Sequence, residues 1–299
     1  MTFKEKLRSR EFIVTTDVIS PKGTAIYKSL QGFELLKGRV DAINVTDMPG
    51  ANMRMGSLAV CVRIKDMGIE PIMQITCRDR NRISLQSEML SAYALGTRNI
   101  LCLRGDEATD SDNPGTKPVF DLDTVQLLEA ARNLEKGFDM GGKRLDGLPN
   151  FCLGAALDPG AENQPEEIKK AHLKVEAGAE FFQTQPVFDV GTYARFLESV
   201  APLDTPILAG VFILKSAASA RFINKNIPGI CVPEPIIQEL EKGDAERRSV
   251  DITIRLVREL SDVCSGVHIM MMVPWHHWIP HILDGAEISG RVKKTAVRE

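Results

Sequence analysis

The sequence predicts one (β/α)8 barrel domain, the TIM-barrel class, over residues 1–299, and three observations predict it. Short apolar runs recur at roughly regular intervals, helix-period segments separate them, and no Gly-x-Gly-x-x-Gly follows any run. Near-continuous apolarity marks strands covered on both faces, as in a parallel sheet. Strand–helix alternation at this length favours the closed barrel over the alternative, a doubly wound open sheet. The missing glycine fingerprint counts against a Rossmann domain.

The elements follow in order. Met1–Arg8 alternates charges, lacks an apolar leader core, and reads as the first turns of a helix. The strand candidates are Phe12–Thr16, Ala42–Thr46, Pro71–Thr76, Asn99–Leu103, Phe151–Leu157, Phe181–Gln185, Pro206–Phe212 and Val267–Met272. Ser57 opens a helix with Leu58, Cys61 and Ile64 that closes near Gly68, and Val125, Leu128, Ala131 and Leu134 form another stripe. Asn163 precedes Pro165, Glu166 and Glu167, a helix start that runs through Ile168, Ala171 and Val175 to a stop at Gly178. Asp189 caps a helix with Val190, Tyr193, Ala194 and Leu197 on one face. Gly105–Asp121 and Phe138–Asn150 are rich in glycine and polar residues and read as loops, not domain linkers.

Composition narrows the function. The chain is 43% hydrophobic and 26% charged, with a net charge of −3 and both signs interspersed, so nucleic acid is not an expected partner. No run reaches the ~18–20 apolar residues of a membrane span; a cytoplasmic oligomer is expected. Cys61, Cys77, Cys102, Cys152, Cys231 and Cys264 form no Cys-x-x-Cys pair and read as reduced thiols, bringing no zinc or iron–sulfur ligand set.

Active groups of such barrels sit at the C-terminal strand ends. The polar residues there are Asp17, Thr46 with Asp47, Gln74 with Thr76, Arg104 with Asp106, Asp158, Gln183 with Gln185, and Lys215. Any one of them also suits a plain helix cap. Leu103-Arg104-Gly105-Asp106 is the most informative, because glycine permits close backbone approach beside a presented carboxylate.

That string resembles the signature of the methylenetetrahydrofolate reductase family. Thr15-Thr16-Asp17-Val18-Ile19-Ser20-Pro21-Lys22 is similar to the family's first-strand Phe-Glu-Phe-Phe-Pro-Pro-Arg, and Asn44-Val45-Thr46 to its Ser/Asn-Val-Thr. Gln74-Ile75-Thr76-Cys77 resembles His-Leu-Thr-Cys. Lys174-Val175-Glu176-Ala177-Gly178-Ala179 followed by Gln183-Thr184-Gln185 resembles Lys-Val-Asp-Ala-Gly-Ala…Thr-Gln, with the same spacing.

The resemblance implies FAD at the top of the barrel, with hydride passing between it and the methylene carbon of a tetrahydrofolate derivative. It assigns Thr46, Gln74, Arg104, Gly105, Asp106 and Lys174 to the cofactor, and Gln183 and Gln185 to the substrate side. Asp106 would sit near the flavin's pyrimidine ring as a catalytic carboxylate. Asp17 would stand where the family has glutamate and protonate the folate's bridging nitrogen as its ring opens. Such a donor needs burial or like charge to raise its pKa toward neutrality.

The sequence departs from the family on one side. Asp17 is one methylene shorter than glutamate, about 1.5 Å less reach. Gln74 replaces a histidine, Pro186 and Val187 replace aromatics, and Phe212-Ile213-Leu214-Lys215-Ser216 replaces Leu-Pro-Val-Ser. The departures cluster on the nicotinamide–folate face. They spare the flavin end, which favours FAD binding more strongly than NADH use. An iron–sulfur or zinc-containing partner subunit, as in acetogen-like branches, is thus an expected electron source in place of NADH. Two further readings stand beside the reductase: a methyltetrahydrofolate-binding methyltransferase barrel, and a flavin- or folate-carrying subunit. Lys215 also admits an aldolase-like Schiff base. Pro274-Trp275-His276-His277-Trp278-Ile279-Pro280-His281 reads as an aromatic lid or subunit contact sooner than a metal site, because adjacent histidines point apart and no acidic cluster adjoins them.

Overall fold

The computed structural model describes residues 1–109, 111–226, 230–271 and 275–288. Eight parallel strands close into a barrel in sequence order: β1 (Ile13–Val18), β2 (Ala42–Val45), β3 (Pro71–Thr76), β4 (Asn99–Leu103), β5 (Cys152–Leu157), β6 (Phe181–Pro186), β7 (Ile207–Ile213) and β8 (Gly266–Met271). β8 pairs back onto β1, with Thr15 opposite His268, so no edge is left open. The strand candidates match within a residue or two at each end; Met272, expected to end the last strand, lies outside the described residues.

The helices are α1 (Phe3–Ser9), α2 (Ile26–Ser29), α3 (Ser57–Asp66), α4 (Arg82–Ala94), α5 (Thr124–Glu135), α6 (Gln164–Glu176), α7 (Val190–Val200), α8 (Ala217–Asn226), α9 (Glu234–Leu240), α10 (Ala245–Leu260) and α11 (Ile279–Gly285). Asn163 and Asp189 cap α6 and α7, accepting from the N–H groups of Glu166 and Thr192. Ser57 is the first helical residue of α3, not its cap, and its hydroxyl donates to Gln74 O at 2.9 Å, tying α3 to β3.

Strand alternation sorts residues into two layers. Outward positions such as Ile43, Met73, Ile100, Leu153, Phe182 and Val267 pack under the helices. Inward positions at the strand starts, among them Ile13, Ala42, Ile72, Leu101, Cys152, Phe181 and Leu208, form a separate apolar plug at the N-terminal end. The helix α1 seals this floor: Phe3 and Leu7 enter the plug, and the Phe3 ring meets Phe181 edge-on at 5.3 Å between centroids. Its charges anchor it. Lys4 donates to Phe151 O at 2.6 Å and to Glu180 at 3.0 Å, and Lys6 pairs with Asp41. Gly154 leaves room for the Phe181 ring, which any Cβ there would strike.

Five of the six cysteines are buried, Cys231 is exposed, and all are free thiols. Burial raises the Cys77 thiol to about 12, and Cys61, Cys102 and Cys152 are raised further, so these sulfurs stay protonated. No described helix is long and apolar enough to cross a membrane.

Candidate functional site

The barrel opens at its C-terminal end. Along every strand but β2, which is buried throughout, the inward residues are buried until the last, where one position becomes half-exposed: Asp17, Gln74, Leu103, Ala156, Phe212 and Met270, with Gln185 more exposed still. These residues ring a cup. Apolar and hydrogen-bonding side chains share the ring, which suits a flat heteroaromatic ligand with polar edges.

The floor of the cup is a buried polar network one layer below. Gln183 accepts from Asn44 Nδ2 at 2.6 Å and donates to Thr15 Oγ1 and Asn44 Oδ1 at 3.1 Å each. Thr15 Oγ1 also meets His268 Nδ1 at 2.9 Å. Burial pushes the His268 imidazole down to about 3, so the network is held by neutral groups. The two glutamines paired by the sequence therefore occupy different levels. Gln185 stands at the rim, whereas Gln183 is 3% exposed with its amide engaged in the floor.

Asp17 is half-buried directly above Thr15 on β1. Its surroundings push the carboxyl from 3.8 up to about 7, against the opposing pull of the backbone N–H groups of Met271 and of Asp17 itself. Desolvation produces the shift, and no like charge from Asp106 contributes to it. Asp106 instead lies across the mouth on an exposed shelf, where its carboxylate accepts the Gly50 N–H at 2.8 Å.

The shelf has a physical basis in Gly105. With φ at +90° it adopts a backbone that side chains disfavour, and a Cβ there would lie 2.9 Å from Arg78 Cβ and 3.1 Å from Thr76 Cβ. Arg104 points outward, paired with Glu107 at 2.7 Å and with its guanidinium 4.3 Å over the Phe120 ring. Thr46 is nearly buried beside β1, its hydroxyl within 3.4 Å of Val18 O. Lys174 reaches the rim from behind β5, donating to Ala156 O at 2.7 Å; burial lowers its pKa and Glu167, at 3.9 Å, raises it. Asp158, at the end of β5, is raised by burial and by Glu167.

Sequence reading missed the arginines that follow β3. Asp47, with a fully buried side chain, accepts from Thr76 N and Oγ1 at 2.9 and 3.0 Å and from both terminal nitrogens of Arg80 at 2.7 and 3.1 Å. Arg78 is fully buried and forks onto Asp79 at 2.9 and 2.7 Å. The signal was present as Cys77-Arg78-Asp79-Arg80, charges placed immediately after a buried strand.

The C-terminal aromatics pack within the chain. His276 lies on Phe33 at 4.6 Å, and Trp278 Nε1 donates to Glu246 at 2.6 Å, clamping this segment to the β1–β2 connection and to α10. Pro274 of that motif lies outside the described residues. No group of three or more possible metal ligands occurs among the described residues.

A closed barrel with a sealed floor and a polar cup at its C-terminal mouth defines the class: a (β/α)8 barrel with its ligand site on the strand-end face. A family profile, Methylenetetrahydrofolate reductase, matches residues 2–284, and the chain belongs to that family. Methylenetetrahydrofolate reductase 1 of Schizosaccharomyces pombe is 26% identical over 266 residues, 80% of this chain and 41% of that protein. The 5,10-methylenetetrahydrofolate reductase of Escherichia coli K12 is 25% identical over 244 residues, 79% of this chain and 76% of that protein. The chain thus spans about two fifths of the length of its fungal relatives. Among solved structures, a Clostridium thermocellum protein that binds two copies of 5-methyl-5,6,7,8-tetrahydrofolic acid shares the fold, with a TM-score of 0.67 and 16% identity over 95% of this chain and 97% of that one.

Proposed function

We propose that this chain interconverts 5,10-methylenetetrahydrofolate and 5-methyltetrahydrofolate, using FAD seated in the cup. The observation that carries the reading is Asp17: a carboxyl held near neutrality at the mouth of a barrel of this family. Such a group is protonated for much of the time at pH 7, which a general acid requires and an ordinary aspartate does not supply.

The residues present suit the cofactor. The apolar members of the ring, Leu103, Ala156, Phe212 and Met270, offer faces to a flat ring system, and Gln74 and Asp106 offer hydrogen-bonding groups to its edges. Thr46, Arg104 and Gly105 would complete its seat, with Lys174 supporting the rim at Ala156. When bound, FAD supplies a hydride carrier. The work of this chain's own residues is to place and to protonate. Asp17 holds a proton on its carboxyl for the folate nitrogen that leaves carbon as the five-membered ring opens. Asp106 places negative charge where it favours the resulting iminium cation. Gln185 presents its amide to the pterin, above the rigid floor that Gln183 builds.

The test uses purified protein and two measurements. Absorbance reports bound flavin, and anaerobic NADH reports its reduction. Asp17→Asn is expected to leave flavin reduction within about twofold while folate turnover falls ~100-fold or more, within the range of general acid catalysis. Loss of both together would remove Asp17 from the donor role.

One observation favours a second source of electrons. Val187 and Phe188, after β6, are 5% and 9% exposed and pack in the layer beneath the helices. Their side chains therefore give the cup no exposed aromatic face for a nicotinamide. On this second reading a partner subunit carrying iron–sulfur or zinc delivers the electrons and wild-type flavin stays yellow under NADH, whereas on the first reading NADH bleaches it.

A further inference from the structure

We propose that Arg78 is a positioning residue that fixes Asp106 at the mouth by pinning the loops after β2 and β4 to one point; its consequence for the cofactor rests on the flavin reading above.

Arg78 follows β3 and is fully buried. A buried charge persists only when paired and hydrogen-bonded, so its partners define what it is for. Nε and Nη2 hold the Asp79 carboxylate, leaving donors that reach elsewhere. Nη2 donates to Met48 O at 2.9 Å, in the loop after β2. Nη1 donates to Asp106 O at 3.4 Å and lies 4.0 Å from the Asp106 carboxylate, in the loop after β4. The Arg78 carbonyl accepts from Val119 N at 2.7 Å, near the far end of that same loop. Three separated stretches of chain meet on one residue. Gly105 packs against its Cβ, so the approach of the Asp106 shelf is set by this contact.

The loop after β2 needs such a hold. Met48 and Ala51 have φ of +49° and +58°, flanking Gly50 at +62°. Left-handed backbone is unfavourable for methionine and alanine and persists where the surroundings impose it. That loop returns the constraint, since Gly50 N–H binds the Asp106 carboxylate. Backbone and side chain of Asp106 are thus held from two sides, and Arg78 joins both. Lysine keeps the charge but lacks the planar fork that serves Asp79, Met48 and Asp106 together.

The experiment compares wild type, R78K, D106N and R78K/D106N. FAD affinity of the apoprotein is read from quenching of flavin fluorescence. R78K is expected to weaken FAD ~10-fold, the loss of one good charged hydrogen bond at the site, and to change affinity less than ~2-fold when Asp106 is already asparagine. Additive losses would overturn the proposal, because Arg78 would then act independently of Asp106. Hydrogen–deuterium exchange of the apoprotein gives a readout that needs no flavin. Peptides covering 48–53 and 104–109 are expected to exchange faster in R78K, while β5–β8 stay unchanged. Unaltered exchange in both loops, or a uniform rise across the barrel, would count against a positioning role. If wild type takes up no FAD yet R78K frees the two loops, the flavin reading fails and the loop-pinning stands.

Discussion

The two ends of this barrel are built by different physics. The floor is apolar, dry and closed: seven inward side chains from the strand starts meet Phe3 and Leu7, and the charges of α1 lie outside as anchors. The mouth is polar and open, and it is shaped by buried charge: Asp47 with Arg80, and Arg78 with Asp79. Burial at the floor is non-directional and tolerates small shifts. Bidentate ion pairs at the mouth fix direction as well as distance. The comparison teaches that the stability of this molecule and the precision of its site are held in separate places.

The largest expected effect lies at the floor. Phe181→Ala removes a fully buried ring that contacts Phe3 and is expected to cost about 3–5 kcal/mol in denaturant unfolding. If the ends are separable, FAD affinity of the folded fraction stays within about twofold; a larger loss would break the comparison. Next is Asp47→Ala, which leaves Arg80 without its carboxylate in a nearly buried position. It is expected to cost roughly 3 kcal/mol and, unlike the floor variant, to weaken FAD as well. Calorimetry with and without FAD separates the two.

The smallest effect sharpens the comparison through pH. Because the folded Asp17 carboxyl is raised from 3.8 to about 7, the folded state holds a proton that the unfolded chain releases between those values. Stability from this group is present at low pH and is lost as pH rises toward 7. Asp17→Asn abolishes that loss, so the variant is expected to match wild type near pH 4 and exceed it at pH 8, by on the order of 1 kcal/mol once solvent in the open mouth is allowed for. His268 runs the other way. Its neutral form, with a pKa of about 3, stabilises the fold above pH 6.5 and loses that contribution as pH falls toward 3. Thermal melts of Asp17→Asn across pH 4–8 check the sign; equal gains at both extremes would contradict the assignment.

Much of the barrel was legible before any coordinate. The β3 and β4 runs, Pro71–Thr76 and Asn99–Leu103, have the bounds read from the sequence, because apolar continuity ends where the strand leaves its two covering layers. Asp17, Gln74, Gln185 and the Arg104–Asp106 shelf all lie at strand ends as period and spacing require. What stayed hidden depends on closure. That Gln183 faces a floor network is decided by Asn44, Thr15 and His268, which are contributed by other strands and meet it only when β8 joins β1. Nothing in the local run of Cys77-Arg78-Asp79-Arg80 says that two arginines turn inward; their partners Met48, Asp106 and Asp47 come from other loops. The helix at Phe3–Ser9 was visible, but not its role as a seal.

That seal sets a timetable for synthesis. Phe3 and Leu7 leave the ribosome long before the rest of their socket, which includes Phe181 and Leu208. At 5–20 residues per second, roughly 10–40 s pass before the last of these wall residues emerges. Through that interval the helix must remain in water with two large apolar side chains uncovered. Lys4, Glu5, Lys6 and Arg8 surround them and carry the segment through the wait. The three basic groups then find Glu180 and Asp41, so charges that keep the early chain dispersed become the clasps of the finished barrel.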